Sequence, residues 1–135
     1  MIDFLDNDEY NRWIKHAEKT LESAISDSSS GFYNWACFKA QHAAEYAVKA
    51  YLRGTGINPS GHAVSLLLKN AGFNENIIDI ARIIDKLYIP TRYTDVWSEG
   101  IPDDYYALSD AENAIEAAES ILEEVRSKWK SLKKG

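Results

Sequence analysis

The sequence predicts an all-α domain: a single up-and-down bundle of four to five helices, with a short third helix and a long irregular loop before the last. Three observations point there. Apolar residues recur at a 3.6-residue period through nearly the whole chain, no segment alternates as a half-buried strand would, and Gly-, Pro- and Ser-containing stretches cut the periodic runs into helix-sized pieces. The 135 residues are 45% hydrophobic and include four Trp, eight Tyr and four Phe, enough for one core without disulfide or metal staples. Residues 1–135 read as one domain, with no internal repeat, low-complexity segment or linker.

The first helix carries Tyr10, Trp13, Ile14, Ala17, Leu21, Ala24 and Ile25 on one face, and the turn-forming residues 26–31 break it. A second helix follows to about Arg53, ended by Gly54, Thr55, Gly56 and Pro59. Two long helices with a short link are expected to pack antiparallel. A short third helix is predicted over residues 62–70, with Ala63, Leu66 and Leu67 inward and Gly72 as its stop. The fourth begins after Asn74, shows Ile77, Ile80, Ala81, Ile84, Leu87 and Tyr88 as its apolar stripe, and ends at Pro90.

Residues 89–106 mix aromatics, a lone Arg and two prolines; irregular stretches of that length in compact domains are often functional. The last helix opens on a predicted capping box, Ser109 with Glu112, and turns Ala111, Ala114, Ile115, Ala118, Ile121, Leu122, Val125, Trp129 and Leu132 inward.

A formal net charge of -6 excludes a broad electrostatic grip on nucleic acid, so any phosphate site must be local. The basic residues 126–134 complement the dipole at a helix C-terminus. Cys37 is the only cysteine, which excludes an internal disulfide and a multi-cysteine metal site, fits a reducing compartment and places Cys37 in the core. With no apolar run of membrane-spanning length and an acidic N-terminus, the chain is expected to be cytoplasmic and free of membranes. Asp103 and Asp104 lack a His partner, and there is no glycine-rich phosphate loop after a strand and no serine elbow; no metal and no cofactor are expected.

Gln41, Glu45 and Lys49 stand four residues apart on the second helix, beside the small residues Ala40, Ala43, Ala44, Ala47 and Ala50. Such a row points into one region of space and its members couple. It serves either as a solvated helix-stabilising pair or as the polar lining of a site. The alanine seam allows close helix approach within one bundle or across a two-fold axis.

Arg92 presents a planar fork of donors that fits phosphate or carboxylate bidentately. Its two roles are an internal salt bridge, to Asp95 or Glu45, or a grip on a ligand. Tyr93, Trp97, Tyr105 and Tyr106 either stack on a base or cover a bundle end. His62 belongs to a helix start, His42 lies on the seam beside Gln41, and His16 reads as an ordinary, partly exposed residue.

The run Phe38-Lys-Ala-Gln-His-Ala-Ala-Glu-Tyr-Ala-Val-Lys-Ala-Tyr-Leu52 resembles the signature helix of HEPN domains. Leu87-Tyr-Ile-Pro-Thr-Arg-Tyr-Thr-Asp95 resembles their later Tyr-x-x-Thr-Arg-Tyr-x-Asp segment, and His62 falls where the family pattern places a His. The resemblance implies an all-helical domain that commonly pairs as a homodimer, often beside a small nucleotidyltransferase in a prokaryotic toxin-antitoxin pair. Some relatives are metal-independent ribonucleases with an Arg followed four to six residues later by a His. Here Arg92 is followed by Tyr93, Thr94, Asp95, Val96, Trp97 and Ser98, without a His, so that motif is incomplete.

The resemblance, with its ribonuclease motif incomplete, points to a HEPN-like domain that binds a nucleotide or phosphate-bearing ligand, or docks a nucleotidyltransferase partner, without doing chemistry itself. Arg92 would grip phosphate and Lys49 add charge, Gln41 and Glu45 would orient the cations or bond a base or ribose, and Asp95 would fix the Arg fork. Tyr93 and His62 complete the candidate set. The alternatives are a ribonuclease toxin using Arg92 with an atypical acid/base, and a structural homodimeric interaction module.

Overall fold

The computed structural model describes residues 5–135. In chain order these form α1 (Asn7–Ser29), α2 (Tyr33–Gly54), α3 (Val64–Asn70), α4 (Glu75–Asp85) and α5 (Leu108–Lys134), with short 3-10 turns at Thr94–Val96 and Pro102–Tyr105 and no strand among the described residues. The expected all-α bundle, short third helix and long irregular segment are all present.

Asp6 caps α1, its carboxylate accepting the Glu9 N–H at 3.1 Å. The helix buries Tyr10, Ile14, Ala17, Leu21 and Ala24, while Ile25 is left exposed. It runs through the serines to Ser29 instead of breaking at residue 26. The stop comes from Gly31 at φ 85, which turns the chain so that the Phe32 N–H reaches the Asp27 carbonyl at 2.9 Å.

α2 is the central element, packed on both α1 and α5. Ala40, Ala43, Ala44, Ala47 and Ala50 are fully buried, as are Cys37 and Val48. The alanine seam is therefore consumed inside this chain's own bundle, because small side chains let α1 and α5 approach. Gly54, expected to stop the helix, is its buried last residue. A Cβ there would lie 2.6 Å from the Trp129 ring, which stacks on Tyr10 at 4.1 Å. Glycine is required at that position by the close approach of Trp129.

Two boundaries differ from expectation. α3 starts at Val64, not His62, because its first donors are satisfied by Asp85, whose carboxylate accepts from the Val64 N–H at 2.6 Å, the Ser65 N–H at 3.2 Å and the Ser65 hydroxyl. This sets the buried face as Val64, Ser65, Leu67 and Leu68 and leaves Leu66 exposed, contrary to its predicted inward place. α4, capped by Asn74 on the Ile77 N–H, ends at Asp85. Pro90 lacks an N–H and crowds the residues before it, so the helix stops a turn earlier and Leu87 and Tyr88 continue on turns.

α5 begins at Leu108, and its reach-back cap is Asp110, which accepts the Ala107 N–H at 2.8 Å. The box predicted at Ser109 and Glu112 is thus displaced toward the N-terminus. The predicted inward face holds: Ala111, Ala114, Ala118, Ile121, Leu122, Val125 and Trp129 are buried, with Ile115 and Leu132 packed at its margin. In the preceding loop Trp97 stacks on Tyr105 at 3.9 Å and donates from Nε1 to the Pro90 carbonyl at 2.9 Å. Asp104 accepts the Ile101 N–H at 3.0 Å. Among the described residues no helix is long and apolar enough to cross a membrane, and no three His, Cys, Asp or Glu residues are grouped to hold a metal.

Candidate functional site

The polar row on α2 is a buried hub, not a solvated surface pair. Glu45 is 3% exposed, and its carboxylate accepts from Lys49 Nζ at 2.8 Å and from Gln41 Nε2 at 3.1 Å. His62 Nδ1 lies 3.1 Å and 3.2 Å from the two carboxylate oxygens. Because an ionised carboxylate only accepts, Nδ1 carries the hydrogen. Gln41, fully buried, also donates to the His62 carbonyl at 3.2 Å. Burial is the largest influence on Glu45 and would push its carboxyl up, but the hydrogen bonds from Lys49, Gln41 and His62 together outweigh it and hold the group below the ordinary carboxylate value.

The hub reaches the surface through one residue. The His62 side chain is 54% exposed, and its ring stacks on Tyr88 at 4.7 Å and 14°. With Nδ1 held by Glu45, a neutral His62 leaves Nε2 as its free acceptor. His42 also stacks on Tyr88, at 5.8 Å, and packs on Phe38 at 4.2 Å. Burial pushes the His42 imidazole below its usual value, and the positive charges of Arg92 and His62 add to that, against the Phe38 carbonyl and Glu45.

Arg92 occupies the other flank of the Tyr88 cluster. Its guanidinium carbon lies 4.4 Å from the Phe38 centroid, 4.7 Å from Tyr93 and 5.0 Å from Tyr88, and Nε approaches the Tyr88 carbonyl at 3.4 Å. Among the described residues it has no carboxylate partner, whereas Arg12 and Arg53 pair with Glu9, Arg82 with Glu75 and Asp79, and Arg126 with Glu18. The internal salt bridge to Asp95 or Glu45 is not formed; Asp95 sits exposed in the Thr94–Val96 turn. Position comes from the backbone instead. Asn34, buried in the first turn of α2, donates from Nδ2 to the Thr91 carbonyl at 2.9 Å, and the buried Thr91 hydroxyl bonds the Leu87 carbonyl at 2.7 Å.

Of the predicted residues, Arg92, Tyr93 and His62 therefore meet around Tyr88, with Glu45 and Gln41 behind His62. Lys49 is committed to Glu45, and its side chain is 13% exposed. Tyr88, Phe38, Asn34 and Thr91 were not singled out. Tyr88 reads in sequence as core of the fourth helix, and only truncation of α4 releases it. Phe38 and His42 did carry a signal, standing four apart beside the polar row.

Residues 10–128 match the family model for the HEPN domain. The chain belongs to the HEPN domain family. Three solved structures resemble this HEPN chain over 88% of its length. TT1696 from Thermus thermophilus is 35% identical, covered over 97%, with a TM-score of 0.84. ST0689, an archaeal HEPN homologue, is 42% identical, covered over 96%, with a TM-score of 0.77. The HEPN domain protein tm0613 from Thermotoga maritima is 30% identical, covered over 98%, with a TM-score of 0.72. No curated protein matches this HEPN chain.

Proposed function

We propose that this HEPN domain binds a nucleotide or another phosphate-bearing ligand at Arg92 without itself doing chemistry. The observation that carries the reading is the guanidinium lying over three aromatic rings with no carboxylate among the described residues. A fixed cation left unneutralised in a protein of net charge -6 suits an anion brought from outside. Tyr93, 46% exposed, offers a face for a base, and His62 Nε2 accepts from a ribose or base donor. Gln41, Glu45 and Lys49 act behind His62, fixing its ring and tautomer. A cytoplasmic setting suits the lone buried Cys37.

Assembly belongs to the same proposal: a homodimer, or docking of a small nucleotidyltransferase in a toxin-antitoxin-type pair, would cover exposed apolar groups such as Phe32 and Trp35 at the start of α2. Titration of ribonucleotides into isotopically labelled protein tests the binding reading: shifts confined to Arg92, Tyr93, Tyr88 and His62 support it, and an unchanged spectrum overturns it. Copurification with an adjacent nucleotidyltransferase tests the pairing.

One observation favours a ribonuclease as the second reading. The buried Glu45 holds the exposed His62 by Nδ1, as a carboxylate orients an acid/base imidazole, and Arg92 lies on the same ring cluster. His62 would then take the proton of a 2′-hydroxyl while Arg92 faces the phosphate. RNA cleavage in chelator, abolished by both His62→Ala and Arg92→Ala, would establish that reading; intact RNA over long incubation contradicts it.

A further inference from the structure

We propose that anion binding at Arg92 is linked to a proton: the negative charge of the ligand draws a proton onto His42, so the site holds its ligand more tightly in mildly acidic than in neutral solution. This rests on the phosphate-binding reading and adds a regulation to it.

The guanidinium and the imidazole share two neighbours. His42 stands one turn beyond Phe38 on α2, and its ring lies 4.2 Å from the Phe38 ring and 5.8 Å from Tyr88. The Arg92 guanidinium carbon lies 4.4 Å from the same Phe38 centroid and 5.0 Å from that of Tyr88. An anion seated on the Arg92 fork therefore acts on His42 across one layer of rings, in a half-buried setting that screens charge less than open water does.

The imidazole is placed to answer that charge. Its Nδ1 lies 3.2 Å from the Phe38 carbonyl, which only accepts, so Nδ1 carries the hydrogen of the neutral ring and Nε2 is the atom that takes up a second one. Burial foremost, then the positive charges of Arg92 and His62, oppose that protonation, while the Phe38 carbonyl and Glu45 favour it. A bound phosphate offsets the Arg92 part of the opposition and adds an attraction of its own. His42 thus holds its proton more firmly in the bound state than in the free one. Affinity grows as pH falls through the interval between the two values and is flat outside it.

The other groups around His42 are already committed. On its own helix the Glu45 carboxylate accepts from Lys49, Gln41 and His62, and burial pushes the Tyr46 phenol up, so it stays neutral. From α1, His16 reaches His42 only across the Tyr46 ring, on which it stacks at 4.2 Å. The segment before α3 brings His62, tied by Nδ1 to Glu45, and the segment after α4 brings Tyr88 and Arg92. Of the permanent charges in this group, Lys49 and Glu45 neutralise each other, and Arg92 is left without a carboxylate among the described residues.

The test is calorimetric titration of uridine monophosphate into the full chain between about pH 5.5 and about pH 8, in pairs of buffers of different ionisation heat, so that the protons taken up are counted. The phosphate of the probe itself titrates at about pH 6, so the count is read as the difference between wild type and His42→Phe. An opposite charge nearby raises an imidazole by about one pH unit or more, which corresponds to about tenfold in affinity. Wild type should accordingly tighten roughly tenfold more than His42→Phe across this range and take up about half a proton more at the midpoint. The wild-type imidazole C–H signals keep the test open if His42→Phe fails to fold: the chain has three His, and the His42 midpoint should rise by about one pH unit under saturating probe. Equal proton counts in the two proteins, or a His42 signal that titrates alike with and without bound probe, overturns the proposal while sparing the Arg92 site. A linked proton that survives in His42→Phe and is lost in His62→Gln belongs to His62 and overturns it too. No binding at any pH overturns the proposal and the Arg92 site with it.

Discussion

Asn34 donates from Nδ2 to the carbonyl of Thr91 at 2.9 Å, a buried hydrogen bond linking residues 57 apart and fixing the backbone just before Arg92. The first turn of α2 thereby sets the height of the guanidinium above Phe38, one turn further along the same helix. Asn34→Ala leaves the Thr91 carbonyl buried and unpaired, which costs about 1–3 kcal/mol. The expected result is a melting temperature lowered by several degrees in calorimetry, with nucleotide affinity falling more steeply than for a variant of equal stability loss in α5.

Trp129 occupies the space a side chain at position 54 would need. Gly54→Ala should destabilise the protein by about 1–3 kcal/mol through overpacking against Trp129 and Tyr10, outweighing the roughly 1 kcal/mol by which helix propensity favours alanine over glycine. Urea denaturation checks the sign: a rise in the unfolding midpoint would contradict the observed approach of Trp129.

Two groups give stability a stepped acid dependence. His42 has a depressed folded value, so its contribution is present above the unfolded imidazole value of about 6.5 and is lost as pH falls below it toward the folded one. Glu45 is also depressed, so its contribution is present above about 4.3 and is lost as pH falls through its lower folded value. Melting temperature against pH should decline in these two windows. Glu45→Gln should remove the lower step and His42→Phe the upper one, each without removing the other.

The helices were legible because their stripes are long and their punctuation strong; α5 shows its inward face from Ala111 to Leu132 in the sequence alone. Boundaries went astray where a distant side chain decided them. Asp85, some twenty residues from α3, caps it and rotates Leu66 outward. The site was legible in part. Spacing brought out Gln41, Glu45 and Lys49, but only the surrounding helices bury the carboxylate and reserve the exposed role for His62. Arg92 stood out as a lone cation, whereas its setting over Phe38, Tyr88 and Tyr93 depends on the early end of α4 that Pro90 enforces.

Among the described residues Arg92 has no carboxylate partner, and a ligand phosphate is expected to complete it. Calorimetric titration of a ribonucleotide into the wild-type protein and the Arg92→Ala variant is the most direct test. Loss of a charge-assisted contact of about 1.5–3 kcal/mol should weaken binding roughly ten- to hundredfold, while loss of the packing on Phe38, Tyr88 and Tyr93 lowers the melting temperature modestly. Equal heats and equal affinity in the two proteins would contradict the claim.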